Sequence, residues 1–270
     1  MRTAQTRSGP ASDTFFNADT MMRELFKTQL WLVLLMACAN CAQLKAQDRP
    51  VSVEVAITRT ATKSAKSGKE AVPDDSNVAV WLIPLDRTVN PSTGANKAKP
   101  PRLVQRNKTF EPHVLIVPVG TVVEFPNQDP FFHNIFSLYD GKRFDLGLYE
   151  SGSKRTVAFD RPGVSFLFCN IHAEMSAVIV VVETPYFGLS DSSGHVVIPN
   201  VPDGRYQINI WYERSLPEAL SGLTRTVTIS NSARNLGQIR VLENPNFTPA
   251  HKNKYGLDYV PPPNPDYDHP

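Results

Sequence analysis

Val164-Ser165-Phe166-Leu167-Phe168-Cys169-Asn170-Ile171-His172-Ala173-Glu174-Met175-Ser176-Ala177-Val178-Ile179-Val180-Val181-Val182 places two apolar runs on either side of a short polar loop. Both runs are rich in β-branched and aromatic residues and have strand length, so they read as strands joined by a tight connection. The same texture recurs upstream at Val114 to Val119, Thr121 to Phe125, Asn134 to Leu138 and Thr156 to Phe159. Gly120, Pro126-Asn127-Gln128-Asp129-Pro130, Asp140-Gly141 and Arg161-Pro162-Gly163 interrupt it where a sandwich needs corners. Farther out, Val51-Ser52-Val53-Glu54-Val55-Ala56-Ile57 alternates almost strictly, the period of a half-buried strand, and Val78 to Ile83 forms another apolar run ending at Pro84. The 23 prolines among 270 residues also favour short strands and corners over helices.

Beyond Thr184 the texture changes. Tyr186-Phe187-Gly188-Leu189-Ser190-Asp191-Ser192-Ser193-Gly194 precedes Val196-Val197-Ile198-Pro199-Asn200-Val201-Pro202-Asp203-Gly204-Arg205-Tyr206-Gln207-Ile208-Asn209-Ile210-Trp211. An Asp-x-x-Gly turn and a Pro-x-Gly-x-Tyr turn flanking paired strands resemble the carboxypeptidase-regulatory-like, transthyretin-type β-sandwich. Such a sandwich begins with a strand pair like the one at 51–83, which is otherwise left without partners. The expected organisation is therefore discontinuous, with an outer sandwich from 50–90 plus 185–242 and a second domain, 102–183, inserted between its strands. The polar stretches Thr60 to Asn77 and Asn90 to Pro101 read as a long loop and a linker. Glu243 to Pro270, rich in Pro, Asn and Tyr with no period, reads as a tail that is extended and surface-draped or else disordered.

Arg23 and Lys27 precede the apolar run Leu30 to Ala39, which has signal-peptide length and is too short to span a bilayer. The expectation is a periplasmic or otherwise exported protein, with 1–46 as a signal peptide carrying an N-terminal extension, since Met21 or Met22 suits the start of such a leader. Cleavage after Ala46 leaves Gln47 first; the alternative is lipoprotein processing with a lipid anchor at Cys38, for which Leu35 and Ala37 are suitably placed. No membrane span is expected. A formal charge of +2 without a dense Lys/Arg stripe argues against a nucleic-acid partner. Of the three cysteines, Cys38 and Cys41 lie in or beside the leader, so Cys169 stands alone afterwards. An unpaired thiol in an oxidising compartment is buried, modified or ligated to metal.

Cys169, His172 and Met175 stand at three-residue steps, and a tight loop with that spacing turns a thiolate, an imidazole and a thioether toward one point. The fourth donor lies elsewhere, and His133 is the best placed: it begins the strand after the Asn127 to Phe132 corner, where a facing hairpin aims it inward. Thiolate and two imidazoles in a plane, with a weak axial thioether, form the ligand set of a blue-copper electron-transfer site. Phe110-Glu111-Pro112, the run Val119 to Asn127, His133-Asn134-Ile135 and Phe166-Leu167-Phe168-Cys169 before His172 and Met175 resemble, in order, the plastocyanin/amicyanin branch of the cupredoxins across Arg102 to Glu183. That resemblance implies one type 1 copper ion on His133, Cys169, His172 and Met175 with a short amicyanin-like loop. It also implies that Asn134 ties the His loop to the Cys loop and restrains the thiolate. Ile171, where many family members carry proline, and Ala173 beside His172 depart from the pattern; they bear on loop rigidity and not on the ligands. His113, His195, His251 and His269 have no partner spacing and read as core or surface residues, and Glu174 reads as a solvated rim charge.

The expected fold class is all-β: a cupredoxin Greek-key β-sandwich plus a second, smaller β-sandwich. The leading function is one-electron carriage by an exported type 1 copper protein, because four protein ligands leave no open position for substrate. An enzyme is not expected, since a multicopper oxidase or copper nitrite reductase needs further histidine clusters and the chain has no His-x-His pair. The alternative is a non-catalytic copper-holding or extracytoplasmic protein- or glycan-binding module with a structural metal. The two-part layout is similar to that of proteins called methylamine utilisation proteins, although no residue here shows a methylamine pathway. The expected partner is a redox protein, donor or acceptor, docking near His172, whose ring edge the resemblance brings to the surface. Phe131, Phe132, Ile171 and Ala173 make that rim apolar: either both phenylalanines pack into the core or one is exposed and forms a docking patch.

Overall fold

In the strand Ser176–Val182 every residue after the first is buried, because both faces of its sheet are covered. Ala177, Ile179 and Val181 belong to one hydrophobic core and Val178, Val180 and Val182 to another. A strand covered on both faces carries a continuous apolar run instead of alternation, and each of these valines contributes roughly 2 kcal/mol by leaving water. The computed structural model describes residues 49–59, 73–86, 99–138, 141–249 and 251–259. The expected signal peptide, Cys38, the last residues of the tail and most of the expected loop and linker lie outside the described residues.

The described residues build four stacked layers of sheet. Strands β1 (Val51–Thr58), β2 (Ala79–Pro84), β12 (Phe187–Leu189), β13 (His195–Ile198), β14 (Gly204–Trp211), β15 (Arg225–Ile229) and β16 (Asn235–Leu242) make the first two layers, ordered β13-β1-β16 and β12-β2-β14-β15. Between them lies a core that includes Val53, Val55, Leu82, Tyr206 and Ile239. Strands β5 (Val114–Pro118), β7 (His133–Ser137), β8 (Phe144–Tyr149), β10 (Gly163–Phe168) and β11 (Ser176–Val182) form the third layer, ordered β5-β11-β10-β7-β8. Its outer face is covered by the pair β6 (Thr121–Pro126) and β9 (Lys154–Phe159) and by the hairpin β3 (Val104–Arg106) and β4 (Thr109–Glu111). Among the described residues a single helical turn, α1 (Pro217–Ser221), interrupts the strands. The all-β expectation holds, and the architecture is one of β-sandwiches.

Local sequence explains several of these choices. In β1 the alternation buries Val51, Val53, Val55 and Ile57 on one face. Gly194 closes the Asp-x-x-Gly turn at φ +80°, where a Cβ would lie 2.0 Å from the Val55 carbonyl oxygen, so only glycine fits. The Asp191 carboxylate accepts the Ser193 and His195 N–H groups at 2.9 and 3.0 Å. The sequence reading did not anticipate β8 or the β3–β4 hairpin. Gly147 and Asp145 break the apolar pattern of β8, and three-residue strands carry too little period to read.

The second and third layers meet along Ala79, Val114, Val178, Val180 and Val182. At the edge of this contact the ring of His113 bridges Ser176 O at 3.2 Å and the Glu213 carboxylate at 2.6 Å. The Glu213 hydrogen bond holds His113 above the ordinary imidazole pKa despite partial burial. A raised folded value means that the contribution is fully present below the unfolded value, about 6.5, and is lost as pH rises through the folded value. Urea midpoints of the metal-free protein are therefore expected to fall from about pH 6 to pH 9 more steeply than in His113→Gln. Parallel pH profiles would show that the pair does not contribute.

Candidate metal centre

His133 is placed by the corner that precedes it. The Asn127 side-chain amide donates to the Phe131 carbonyl at 2.8 Å, and its oxygen accepts the Asp129 N–H at 3.0 Å, folding 127–132 into a tight turn. The Asp129 carboxylate, itself buried, accepts the backbone N–H groups of Asn107 and Lys108 at 2.6 and 3.0 Å. Both residues have positive φ, so Asp129 caps the turn between β3 and β4. Its Oδ2 also lies 2.7 Å from Nε2 of the fully buried His133. That bond fixes the ring proton on Nε2 and leaves the Nδ1 lone pair facing inward. Burial lowers the His133 pKa, so the ring is neutral at neutral pH. Burial acts to raise Asp129, but the hydrogen bonds from Lys108, His133 and Asn107 outweigh it and leave the carboxyl below its ordinary value.

Cys169 and His172 come from the loop between β10 and β11. The hairpin closes at the pair Phe168 and Ser176, and inside it Cys169 N–H donates to Met175 O and Met175 N–H to His172 O, each at 3.2 Å. From Cys169 Sγ, the Nδ1 atoms of His133 and His172 lie at 3.8 and 3.6 Å. The donor atoms of His133, Cys169 and His172 all fall within 4.8 Å of one another. Met175 is fully buried in the same core as Cys169. Burial raises the Cys169 thiol pKa, while backbone N–H groups of Asn134, Ile171 and His172 directed at it act the other way.

These residues fit a soft or borderline metal ion. A sulfur about 2.3 Å and a nitrogen about 2.0–2.1 Å from a common ion, spread at trigonal or tetrahedral angles, lie roughly 3.5–3.8 Å apart. The two Sγ–Nδ1 separations match that span. A thiol whose ionisation burial opposes gains most from a cation beside it, so binding releases a proton.

The rim combines apolar and aromatic side chains. Phe131 packs edge-on to His133 and tilted against His172, with ring centroids 5.1 and 5.6 Å away. Phe132 is 56% exposed and Ile171 47%, so one phenylalanine of the pair faces water. Asn134 reaches Cys169 through its backbone N–H, whereas its side-chain amide donates to Asp145 Oδ1 at 2.7 Å. The sequence reading missed Asp129, Asp145, His251 and Tyr259. Asp129 alone has a local signal, four residues before His133, whereas His251 has no partner spacing in the sequence and reads there as a core or surface residue. Instead, the His251 ring stacks on Phe168 with centroids 3.9 Å apart.

Fold and site together define an all-β protein with a Cys-His-His cluster in which Cys169 and His133 are buried and His172 partly so. No family profile matches the chain, and no curated protein does. Several solved structures resemble part of it. A purple cupredoxin from Nitrosopumilus maritimus is 24% identical, covers 30% of this chain and 99% of its own, and has a TM-score of 0.28. A copper-containing nitrite reductase from Thermus scotoductus is 23% identical over 47% of this chain and 28% of its own, with a TM-score of 0.31. A mutant of amicyanin in the Cu(I) form is 16% identical over 38% of this chain and 98% of its own, with a TM-score of 0.30. At such TM-scores the likeness does not establish a shared function.

Proposed function

We propose that this chain is an exported type 1 copper protein that carries one electron at a time and performs no catalysis. His133, Cys169, His172 and Met175 are its ligands, within a copper domain at 102–183 and beside an outer sandwich of 50–90 plus 185–242. The observation that carries the reading is the approach of two imidazole Nδ1 atoms to one buried Cys169 sulfur, at 3.8 and 3.6 Å. Copper bound there supplies one-electron cycling between Cu(I) and Cu(II). The protein's own part is to hold the donors still: Asp129 orients His133, backbone N–H groups of Asn134, Ile171 and His172 steady the sulfur, and the buried core around Met175 keeps water away. Export rests on the leader at 1–46.

The test is to load the purified protein with Cu(II) and record visible and EPR spectra. An intense thiolate-to-copper charge-transfer band is expected, and its absence sinks the reading. Reversible redox cycling at a useful rate distinguishes carriage from a structural metal.

The partner reading extends this proposal. A redox protein docks on the apolar rim near His172, using the exposed Phe132 and Ile171. Ala173→Lys adds a charge to that rim without touching a ligand. Stopped-flow electron exchange with a small redox protein is expected to slow about tenfold, with a nearly unchanged copper spectrum, if the added charge costs docking about 1.4 kcal/mol. Equal rates would move the docking face elsewhere.

A further inference from the structure

The chain after β16 returns to the candidate metal centre. The Tyr259 hydroxyl donates to the Cys169 carbonyl oxygen at 2.6 Å. Its ring meets His251 edge-on at 5.3 Å, and His251 stacks on Phe168, the residue before Cys169. Between them, the Lys254 N–H donates to the Asn170 side-chain oxygen at 3.0 Å. The Lys254 ammonium reaches Asp145 Oδ2 at 2.9 Å, on the carboxylate whose other oxygen accepts the Asn134 side-chain amide. The segment thus touches the ligand loop on both sides of Cys169 and, through Asp145, the strand that carries His133.

From these contacts we infer that residues 251–259 are a strap that holds the Cys169 loop in its ligating shape before any metal arrives, with Tyr259 as its positioning residue. The inference rests on the proposed role of Cys169 as a ligand. The physical reason lies in the loop itself. Residues 170–174 span the gap between two strands, closed from within by the Cys169–Met175 and His172–Met175 backbone bonds and by the Ile171 and His172 N–H groups directed at the Cys169 sulfur. Ties from outside raise the free energy of local opening, and opening is what exposes the buried sulfur. Tyr259 binds the carbonyl of the ligand residue, so the restraint falls on the backbone that aims Sγ. The Lys254 to Asp145 contact is a partly exposed ion pair and adds little by itself. Its use is to link the two ligand-bearing segments through one carboxylate.

The test uses the full-length, metal-free protein and N-ethylmaleimide, with modification read on the Cys169 peptide by mass spectrometry, because Cys38 and Cys41 are also thiols. Tyr259→Phe keeps the ring against His251 and removes only the hydroxyl. Loss of the hydroxyl removes its bond to the Cys169 carbonyl oxygen together with its 3.3 Å contact with His251 Nδ1, and is expected to raise the Cys169 modification rate about fivefold. Asn170→Ala, which removes the tie from the Lys254 N–H and leaves the strap sequence intact, is expected to act in the same direction. Copper loss from the Cu(II)-loaded variants to a chelator is expected to accelerate alongside. Wild-type modification rates in both variants would overturn the strap. So would a rise matched by an equal fall in the global urea midpoint, since that would place the effect in the whole fold. A wild-type protein with no charge-transfer band but faster thiol modification in the variants would remove the copper reading and leave the strap standing. An intact band with unchanged modification rates would do the reverse.

Discussion

Cys169→Ser is expected to abolish the charge-transfer colour of the Cu(II)-loaded protein completely. Serine keeps the size of the side chain, but its hydroxyl is neither soft nor readily deprotonated, so it cannot supply the covalent thiolate bond from which the colour arises. The two imidazoles, held by Asp129 and by the loop, remain, so weaker and colourless metal binding is the expected residue of the site. Visible absorption of wild type and variant, loaded side by side, decides the matter, and retained colour would mean that another cysteine is the ligand. Met175→Leu sharpens the comparison by preserving buried volume while removing the thioether. Its expected result is retained colour with a raised reduction potential, because Cu(II) loses more than Cu(I) when an axial donor leaves. An unchanged potential would assign Met175 to packing alone.

Asp129→Ala is expected to destabilise the metal-free protein by about 3 kcal/mol, since it removes one acceptor shared by several donors. The Asn107 and Lys108 N–H groups and the His133 ring would lose their partner together. The cost arises mainly from leaving these donors unsatisfied, and the positive φ at Asn107 and Lys108 gives the turn no easy alternative. Asp129→Asn retains an acceptor oxygen and is expected to cost less than half as much. Urea unfolding curves for the three proteins measure both effects. A loss below about 1 kcal/mol in the alanine variant would show that water replaces the carboxylate, and the bond to His133 would then be of no consequence for folding.

What the sequence by itself determined is local. Alternation in Val51 to Ile57 marks a strand with one buried face, and β1 has it. The Asp191 to Gly194 turn is readable because Gly194 sits at a φ that disfavours other residues. The three-residue steps from Cys169 to His172 to Met175 are readable because a tight hairpin loop gathers side chains at such spacing, and in the fold Cys169 and His172 meet His133 within 4.8 Å.

The tertiary structure alone decided what each face meets. A continuous apolar run such as Ala177 to Val182 signals burial without naming the two cores that divide it, because periodicity records the fact of burial and not the covering surface. The parallel pairing of β1 with β16 joins the first and last of the described strands, which no local pattern specifies. Asp129 caps a turn 22 and 21 residues away, and Tyr259 bonds a carbonyl 90 residues away. Hydrogen bonds over such separations depend on which strands the topology brings together, and a single polar residue in a corner or a tail carries no period from which that topology could be read.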